Sequence, residues 1–258
     1  MNMSKNTGTL AELDEPHELD ELDELRRNCG YCAIHDFQLP LGLGVPELEQ
    51  LNNSVRDKRP LDRGDILFRQ GDSFTALYVV RSGALKTFVE SADGEVQIVG
   101  FHLPGDIMGV GGLTGEYYPC SAAALERSNV CELRYAQLQA ISAAVPGLQD
   151  QLIRVISRDI VVKQEHMVMM GKRNAQRQVA SFIRRLADRY GRLSRDSQAL
   201  ILPMSRADIA NYLGLVLETV SRLFSRMEAD GILAVNRKSV HILRRDLLDE
   251  LCGGQAKH

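Results

Sequence analysis

The sequence has no apolar run that approaches the about 20 residues needed to span a bilayer. Its first stretch, MNMSKNTGTLAELDEPHELDELDELRR, also lacks the apolar core of a secretion signal. We therefore expect a cytoplasmic protein without a membrane segment. The five cysteines, at positions 29, 32, 120, 131 and 252, are odd in number and widely spread. In a reducing compartment, this distribution disfavours a disulfide framework and leaves metal binding, redox chemistry or burial in a core.

The sequence also lacks a constellation of His, Asp and Ser residues that would indicate catalysis, and its six histidines show no metal-site spacing. A Cys-x-x-Cys oxidoreductase motif belongs in a βαβ setting, whereas the pair Cys29 and Cys32 precedes a region with the pattern of short strands. We therefore expect no enzymatic activity.

The formal net charge of −3 hides a gradient along the chain. Residues 1–45 carry three basic and nine acidic side chains, residues 46–171 carry twelve and sixteen, and residues 172–258 carry sixteen and nine. The net charge thus changes from −6 through −4 to +7. A basic C-terminal third indicates a polyanionic partner for that third, although a merely solvated surface could have the same composition.

Hydrophobic patterning divides the rest of the chain. From about 60 to 135, short apolar runs are interrupted by glycines, and RSG at 81–83 and ADG at 92–94 have the signature of hairpin turns. This pattern predicts an antiparallel barrel or sandwich within residues 46–146. A helix without internal proline follows at 147–171 and ends at Gly171, and residues 172–258 contain further helices.

The long helix has an apolar seam with heptad spacing, which predicts a contact with a second subunit. Its apolar residues outside the seam favour additional burial against the β-domain. Lys163 is unusual on such a seam. It indicates either that this position lies at the edge of the interface or that it weakens the contact between the subunits. The predicted seam comprises Ile153, Ile156, Ile160, Lys163, Met167 and Met170.

The segment MSRADIANYLGLVLETVSRLFSRMEADGIL, residues 204–233, has the layout of a helix-turn-helix. Ser205 and Asp208 have the spacing of a capping box, and Gly214 suits a tight turn. A second helix, predicted from Leu217 to Ala229, has one apolar side that would dock inward. The predicted outward residues are Glu218, Ser221, Arg222 and Ser225, and a following hairpin has the basic tip Arg237 and Lys238. These side chains match the chemistry of base and phosphate contacts, which predicts binding to double-stranded DNA.

On these residues the chain resembles the cyclic-AMP receptor/fumarate–nitrate reduction regulator family of bacterial transcription factors. The resemblance rests on RGDILFRQGD, LYVVRSGALK and GFHLPGDIMG, on the long helix, and on ADIANYLGLVLETVSRLFSRMEADGIL. It implies an α+β fold: an N-terminal antiparallel β-roll at 46–146, a dimerisation helix at 147–171 and a winged helix-turn-helix at 172–258. Residues 1–45 precede these as an acidic tail with the Cys-x-x-Cys segment.

The E-x-x-S-R pattern of Glu218, Ser221 and Arg222 resembles the recognition helix of the fumarate–nitrate branch. That branch binds palindromic sites with TTGAT-type half-sites as a homodimer, and the resemblance also implies RNA polymerase as a partner. The cyclic-nucleotide branch instead uses an arginine in the β-roll to hold the cyclic phosphate. This chain has no Lys or Arg between Gly111 and Arg127, and Cys120 stands where that arginine is expected. A buried anion without a cation beside it is unfavourable, so we do not expect a cyclic nucleotide.

Resemblance to the fumarate–nitrate branch implies an oxygen-labile [4Fe-4S] cluster and anaerobic regulation. Cys29, Cys32 and Cys131 match three of the four ligand cysteines of that branch, but Gln38 occupies the remaining position. Thiolates are the usual ligands of such clusters, and a neutral amide is a poor substitute. The candidates for the fourth ligand are Cys120, Asp36 and His35.

Two interpretations of the sensing chemistry therefore remain open. The first is control by oxygen or nitric oxide through the cluster. The second is a regulator of the same family without a cluster, in which Cys29 and Cys32 form a thiol switch or the roll binds haem or another small ligand. Lys163 adds a hypothesis: like charges facing each other across a two-fold seam would oppose dimerisation.

Overall fold

The structure is a computed structural model, and it describes residues 55–57, 59–144, 146–171, 174–193 and 196–253. Its first part contains eight strands in two four-stranded antiparallel sheets, with the orders β1-β8-β3-β6 and β2-β7-β4-β5. The strands are Val55–Asp57 (β1), Ile66–Phe68 (β2), Ala76–Ser82 (β3), Leu85–Glu90 (β4), Val96–His102 (β5), Ile107–Met108 (β6), Ser121–Ala124 (β7) and Asn129–Arg134 (β8).

The two sheets share one apolar core, because side chains of alternate residues point to opposite faces of each strand. In β3, for example, Tyr78 and Val80 belong to this core together with Leu85 from β4 and Met108 from β6. Glycines fall in the β3–β4 and β4–β5 turns, where the sequence predicted hairpins. At Gly83 the backbone needs glycine, since φ is +79° and a Cβ atom would lie 2.4 Å from the carbonyl oxygen of Arg127.

Three helices follow the strands: Tyr135–Ala144 (α1), Pro146–Met170 (α2) and Ala175–Arg192 (α3). The side chain of Asn174 caps α3 by accepting a hydrogen bond from Arg177 N at 3.1 Å. One stripe of α2 is buried at Val155 and Met169, while much of its remaining apolar surface is exposed. Among the residues that the structure describes, no helix combines the length and the apolar character that a membrane crossing requires.

The C-terminal part contains the helices Arg206–Leu213 (α4), Leu217–Ala229 (α5) and Arg245–Leu251 (α6). A three-stranded antiparallel sheet of the order β10-β11-β9 packs with them, formed by Ala199–Ile201 (β9), Leu233–Asn236 (β10) and Ser239–Ile242 (β11). Their core is continuous with buried side chains of the roll, including Ile98, Phe101 and Leu103. The predicted α+β fold, with a β-roll, a long helix and a winged helix-turn-helix, is confirmed.

Candidate DNA-binding surface and sensor cysteines

Helix α4 begins at a complete capping box, as the sequence predicts. Ser205 Oγ accepts a hydrogen bond from Asp208 N, and Asp208 Oδ2 accepts one from Ser205 N, both at 3.0 Å. Burial alone would raise the pKa of Asp208, but hydrogen bonds from Lys86 Nζ and Ser205 outweigh it and hold this pKa below its usual value. The helix ends at Gly214, whose φ of +64° forms the tight turn into α5.

Helix α5 has an inward and an outward side, and its bounds agree with the prediction. Val220, Phe224 and Met227 are buried in the core of the C-terminal part. The outward side forms a polar row with the spacing of one helix face, and each of its members is exposed. This polar row consists of Glu218, Ser221, Arg222 and Ser225.

The predicted wing is a hairpin beside this helix. Strands β10 and β11 pair in a register that places Asn236 opposite Ser239, so Arg237 and Lys238 form a two-residue turn. Both side chains are exposed, and Arg237 has a φ of +53°. Leu202 N donates a hydrogen bond to Lys238 O at 2.8 Å, which anchors the tip of the wing to the residue after β9.

Arg206, the first residue of α4, is a residue for which the sequence predicts no role. The central carbon of its guanidinium group lies 3.4 Å from the centroid of the Phe224 ring, a cation–π contact between the two helices of the motif. Burial lowers the pKa of Arg206 to about 10, so the group remains charged at neutral pH. No local spacing signals this contact, because positions 206 and 224 meet only after the turn at Gly214 has formed.

Cys131 and Cys120 face different environments. Cys131 on β8 pairs with Val79 on β3 and is fully buried. Val80 and Val130, the next pair along these strands, belong to the core between the sheets, so alternation places Cys131 on the opposite face. Cys120, in contrast, packs against the core between the sheets. Cys131 therefore faces away from the core that Cys120 contacts.

Cys120 also lies close to the long helix. Burial raises the pKa of its thiol, and the nearby charge of Lys163 offsets only part of this effect. Cys120 is consequently protonated at neutral pH and is a weak nucleophile. The other predicted sensor residues, Cys29, Cys32, His35, Asp36 and Gln38, lie outside the described residues. Within the described ranges, no group of three or more His, Cys, Asp and Glu side chains could hold a metal ion.

The described residues leave most of the predicted seam of α2 exposed. Ile153, Ile160 and Met167, seven residues apart, are 61%, 50% and 72% exposed. Ile156 and Met170 are half-buried. Lys163 Nζ lies 2.6 Å from Asp159 Oδ2, so its charge is paired within the same helix.

Comparisons with known proteins identify both parts of the molecule. Residues 58–144 match the model of the cyclic nucleotide-binding domain, and residues 177–251 match the Crp-like helix-turn-helix domain. Among solved structures, FixK2 from Bradyrhizobium japonicum has a TM-score of 0.71 and 27% identity, and the match covers 78% of this chain and 99% of that one.

Curated relatives are transcription regulators rather than enzymes. The transcriptional activator protein anr of Pseudomonas aeruginosa is 43% identical over 88% of this chain and 93% of its own length. The fumarate and nitrate reduction regulatory protein of Escherichia coli strain K12 is 38% identical over 88% of this chain and 90% of its own length. With this identity over nearly nine-tenths of its length, the chain belongs to the CRP/FNR family of transcription regulators.

Proposed function

We propose that the protein regulates transcription as a homodimer that binds palindromic DNA sites with TTGAT-like half-sites. The observation that carries this proposal is the exposed polar row on α5, a helix whose opposite side is fixed in the core by Val220, Phe224 and Met227. A helix held in this way can enter the major groove without rearranging its own support. RNA polymerase would be the partner through which DNA binding affects transcription.

The polar row has the chemistry that major-groove reading requires. The Arg222 guanidinium can donate two parallel hydrogen bonds to guanine O6 and N7, and the Glu218 carboxylate can accept one from cytosine N4. The hydroxyl groups of Ser221 and Ser225 can contact either a base or a phosphate. These four side chains would therefore supply the sequence-specific part of the affinity.

The wing would supply contacts that do not depend on sequence. Arg237 and Lys238 place two exposed positive charges on one tight turn. Such charges bind phosphate oxygens and position a recognition helix without reading bases. Because phosphate contacts release condensed counterions, this share of the affinity depends on salt.

The exposed row on α2 supports the homodimer. Ile153, Ile160 and Met167 repeat at heptad spacing, and among the described residues they form a large apolar stripe that is exposed to solvent. Pairing two copies of α2 would bury this stripe against itself. In the dimer the pair Lys163–Asp159 would lie on or beside the seam.

We further propose that an iron–sulfur cluster controls the dimer in response to oxygen, with Cys29, Cys32 and Cys131 as thiolate ligands. When bound, a [4Fe-4S] cluster supplies an oxygen-labile centre. The burial of Cys131 on the face away from the roll core supports its role as the single ligand from the roll. Cys120 contacts the core that Cys131 faces away from, which favours Asp36 or His35 as the fourth ligand. The substitution of Gln38 for the remaining family cysteine favours a second candidate, a Cys29–Cys32 thiol switch without a cluster.

Arg222→Ala tests the DNA-binding proposal. Loss of a bidentate guanine contact should weaken operator binding by about 1–3 kcal/mol and relax the preference at one base pair of each half-site. Arg127→Ala is a matched control, because Arg127 has an exposed side chain on the roll. Operator binding by Arg222→Ala that equals the parent's would contradict the assignment of the polar row.

An anaerobic absorbance spectrum with iron and sulfide assays tests the control mechanism. A cluster predicts visible absorbance with equal amounts of iron and sulfide, and bleaching by air should weaken dimerisation and DNA binding. Colourless, iron-free protein whose DNA binding responds to reductant would support the thiol switch. In that case Cys29→Ser with Cys32→Ser should abolish the response.

A further inference from the structure

Strand β5 is an edge strand, and a side chain of the DNA-binding part covers its outer edge. In the sheet order β2-β7-β4-β5, no strand of the described residues lies beside the edge of β5 that faces away from β4. Exposed strand edges carry backbone N–H and C=O groups that seek partners. Here the side chain of Asn211, on α4, meets these groups.

The carboxamide of Asn211 takes the place of a peptide group from a neighbouring strand. Its Nδ2 donates to Val96 O at 2.7 Å, and its Oδ1 accepts from Ile98 N at 2.6 Å. Gln97 Nε2 returns a third hydrogen bond to the main-chain oxygen of Asn211, also at 2.7 Å. One residue of α4 thus joins three consecutive residues of β5, and the geometry uses both the donor and the acceptor of the amide.

Two neighbours of Asn211 on the same helix strengthen this contact. Asp208 lies one turn earlier and pairs with Lys86 on β4, with 2.7 Å between Nζ and Oδ1. Tyr212 packs its ring 4.9 Å from Phe101 on β5 and 3.9 Å from His166 on α2, measured between ring centroids. The roll, the long helix and the helix-turn-helix therefore meet at α4.

This contact leaves the DNA-reading surface open. The polar row of α5 is exposed while Asn211 is engaged, so the contact does not mask the residues that would read bases. The contact instead constrains the angle at which the helix-turn-helix sits on the roll. In a dimer held together elsewhere, that angle determines the separation of the two recognition helices.

We propose that Asn211 is a positioning residue that locks the helix-turn-helix onto the β4–β5 hairpin and thereby matches the dimer to the half-site spacing of its palindrome. The inference rests on the proposed homodimer and its palindromic site. Two linked recognition helices gain affinity only when both engage at the spacing that the linkage imposes. A loose linkage should cost affinity for the palindrome and reduce discrimination between spacings, but it should leave contact with one half-site unchanged.

The test compares Asn211→Ala with the parent as full-length dimers on three DNA duplexes. These are the palindrome, a site with one half scrambled, and a palindrome with one extra base pair in its spacer. We expect palindrome affinity to fall on the order of tenfold, half-site affinity to stay within about twofold, and the preference for the natural spacer to shrink. An unchanged palindrome affinity, or an equal loss on the half-site duplex, would overturn the inference.

A second variant guards against a folding defect in the DNA-binding part. Lys86→Met removes the ion pair from the roll side and leaves the sequence of the helix-turn-helix untouched, and it should change affinities in the same pattern to a smaller degree. Gln198→Ala is the control, because its side chain makes none of the contacts between α4 and β5 described above. If Lys86→Met leaves the palindrome affinity unchanged, this result would contradict the proposed role of the contact between α4 and the β4–β5 hairpin.

Hydrogen exchange supplies a readout at one atom pair. The Ile98 amide donates to Asn211 Oδ1, so Asn211→Ala should accelerate its exchange while amides within α4 keep their protection. Unaltered exchange at Ile98 would overturn the assignment of this bond in solution. If the parent binds neither the palindrome nor the half-site, the proposed function fails; if the parent binds and Asn211→Ala behaves identically, only the positioning role fails.

Discussion

Among single residues, His102 at the end of β5 couples stability to pH. Its Nε2 lies 3.0 Å from Thr87 Oγ1. Burial, with the nearby charges of Arg189 and Lys163, lowers the pKa of His102 to about 3 from its usual 6.5. The folded ring stays neutral while the unfolded chain gains a proton below pH 6.5. This contribution to stability is therefore complete above pH 6.5 and decreases as the pH falls from 6.5 toward 3.

We predict that His102→Gln flattens this decrease in the free energy of unfolding. One proton contributes at most about 1.4 kcal/mol per pH unit, and the share of His102 should stay below this limit because His102 keeps part of its surface in solvent. Urea unfolding at fixed protein concentration, between about pH 5 and 7, measures the slope. His241→Gln, at an exposed position on β11, should retain the parental slope. His166 contributes in the same direction, so an incomplete effect is expected, whereas no effect at all would contradict the assignment.

Among the elements, α2 carries the strongest prediction about assembly. Ile160 lies at the centre of the exposed heptad row, and Ile160→Glu would bring two unpaired carboxylates together in the buried seam of a dimer. Burial of such charges costs several kcal/mol, which corresponds to dimer affinity weaker by about a hundredfold or more. Sedimentation across a concentration series measures this change.

Arg154→Glu is the control for Ile160→Glu, because it introduces the same carboxylate on an exposed flank of α2 that is turned away from the seam. It should remain dimeric at concentrations where Ile160→Glu is monomeric. Equal dimer affinities for the two variants would place the interface elsewhere on the molecule.

At the scale of the whole molecule, the charge gradient predicts how DNA binding responds to salt. Lys238→Ala would remove one of the proposed phosphate contacts at the wing tip, so affinity should fall uniformly across DNA sequences. The slope of log affinity against log salt concentration should become shallower by about 1. Titrations over a range of salt concentrations measure this slope, and Arg63→Ala on the roll should leave it unchanged. A change of sequence preference in Lys238→Ala would mean that the wing reads bases.

Local signals in the sequence predicted the helices and strands well. The sequence did not predict contacts between segments that are far apart along the chain. The capping box at Ser205 and the turn at Gly214 each depend on residues within one helical turn, so the sequence predicts both ends of α4 correctly. The predicted bounds of α5 also agree with the structure. The sequence makes Cys120 a candidate ligand beside Cys131, and this stays a prediction. It could not show that Cys131 faces away from the core that Cys120 contacts, because strand register depends on pairings across the whole roll.

Asn211 illustrates the same limit at greater distance. Its side chain bonds Val96 and Ile98, more than a hundred positions away along the chain. In the sequence it appears only as a polar residue between the apolar positions of α4. The need for a partner at the edge of β5 becomes visible only when the sheet order is known.

Helix α4 contacts both its own domain and the roll, and this affects how DNA-binding domains could be exchanged between such regulators during evolution or in the laboratory. Ile209, Ala210 and Leu213 bind α4 to its own domain, while Asn211 ties it to the hairpin at 85–102. A cut after the long helix would therefore separate partners that depend on each other. A chimera that receives a foreign DNA-binding domain should work best when the donor's β4–β5 hairpin is transplanted with it, so the exchangeable module is discontinuous in the sequence.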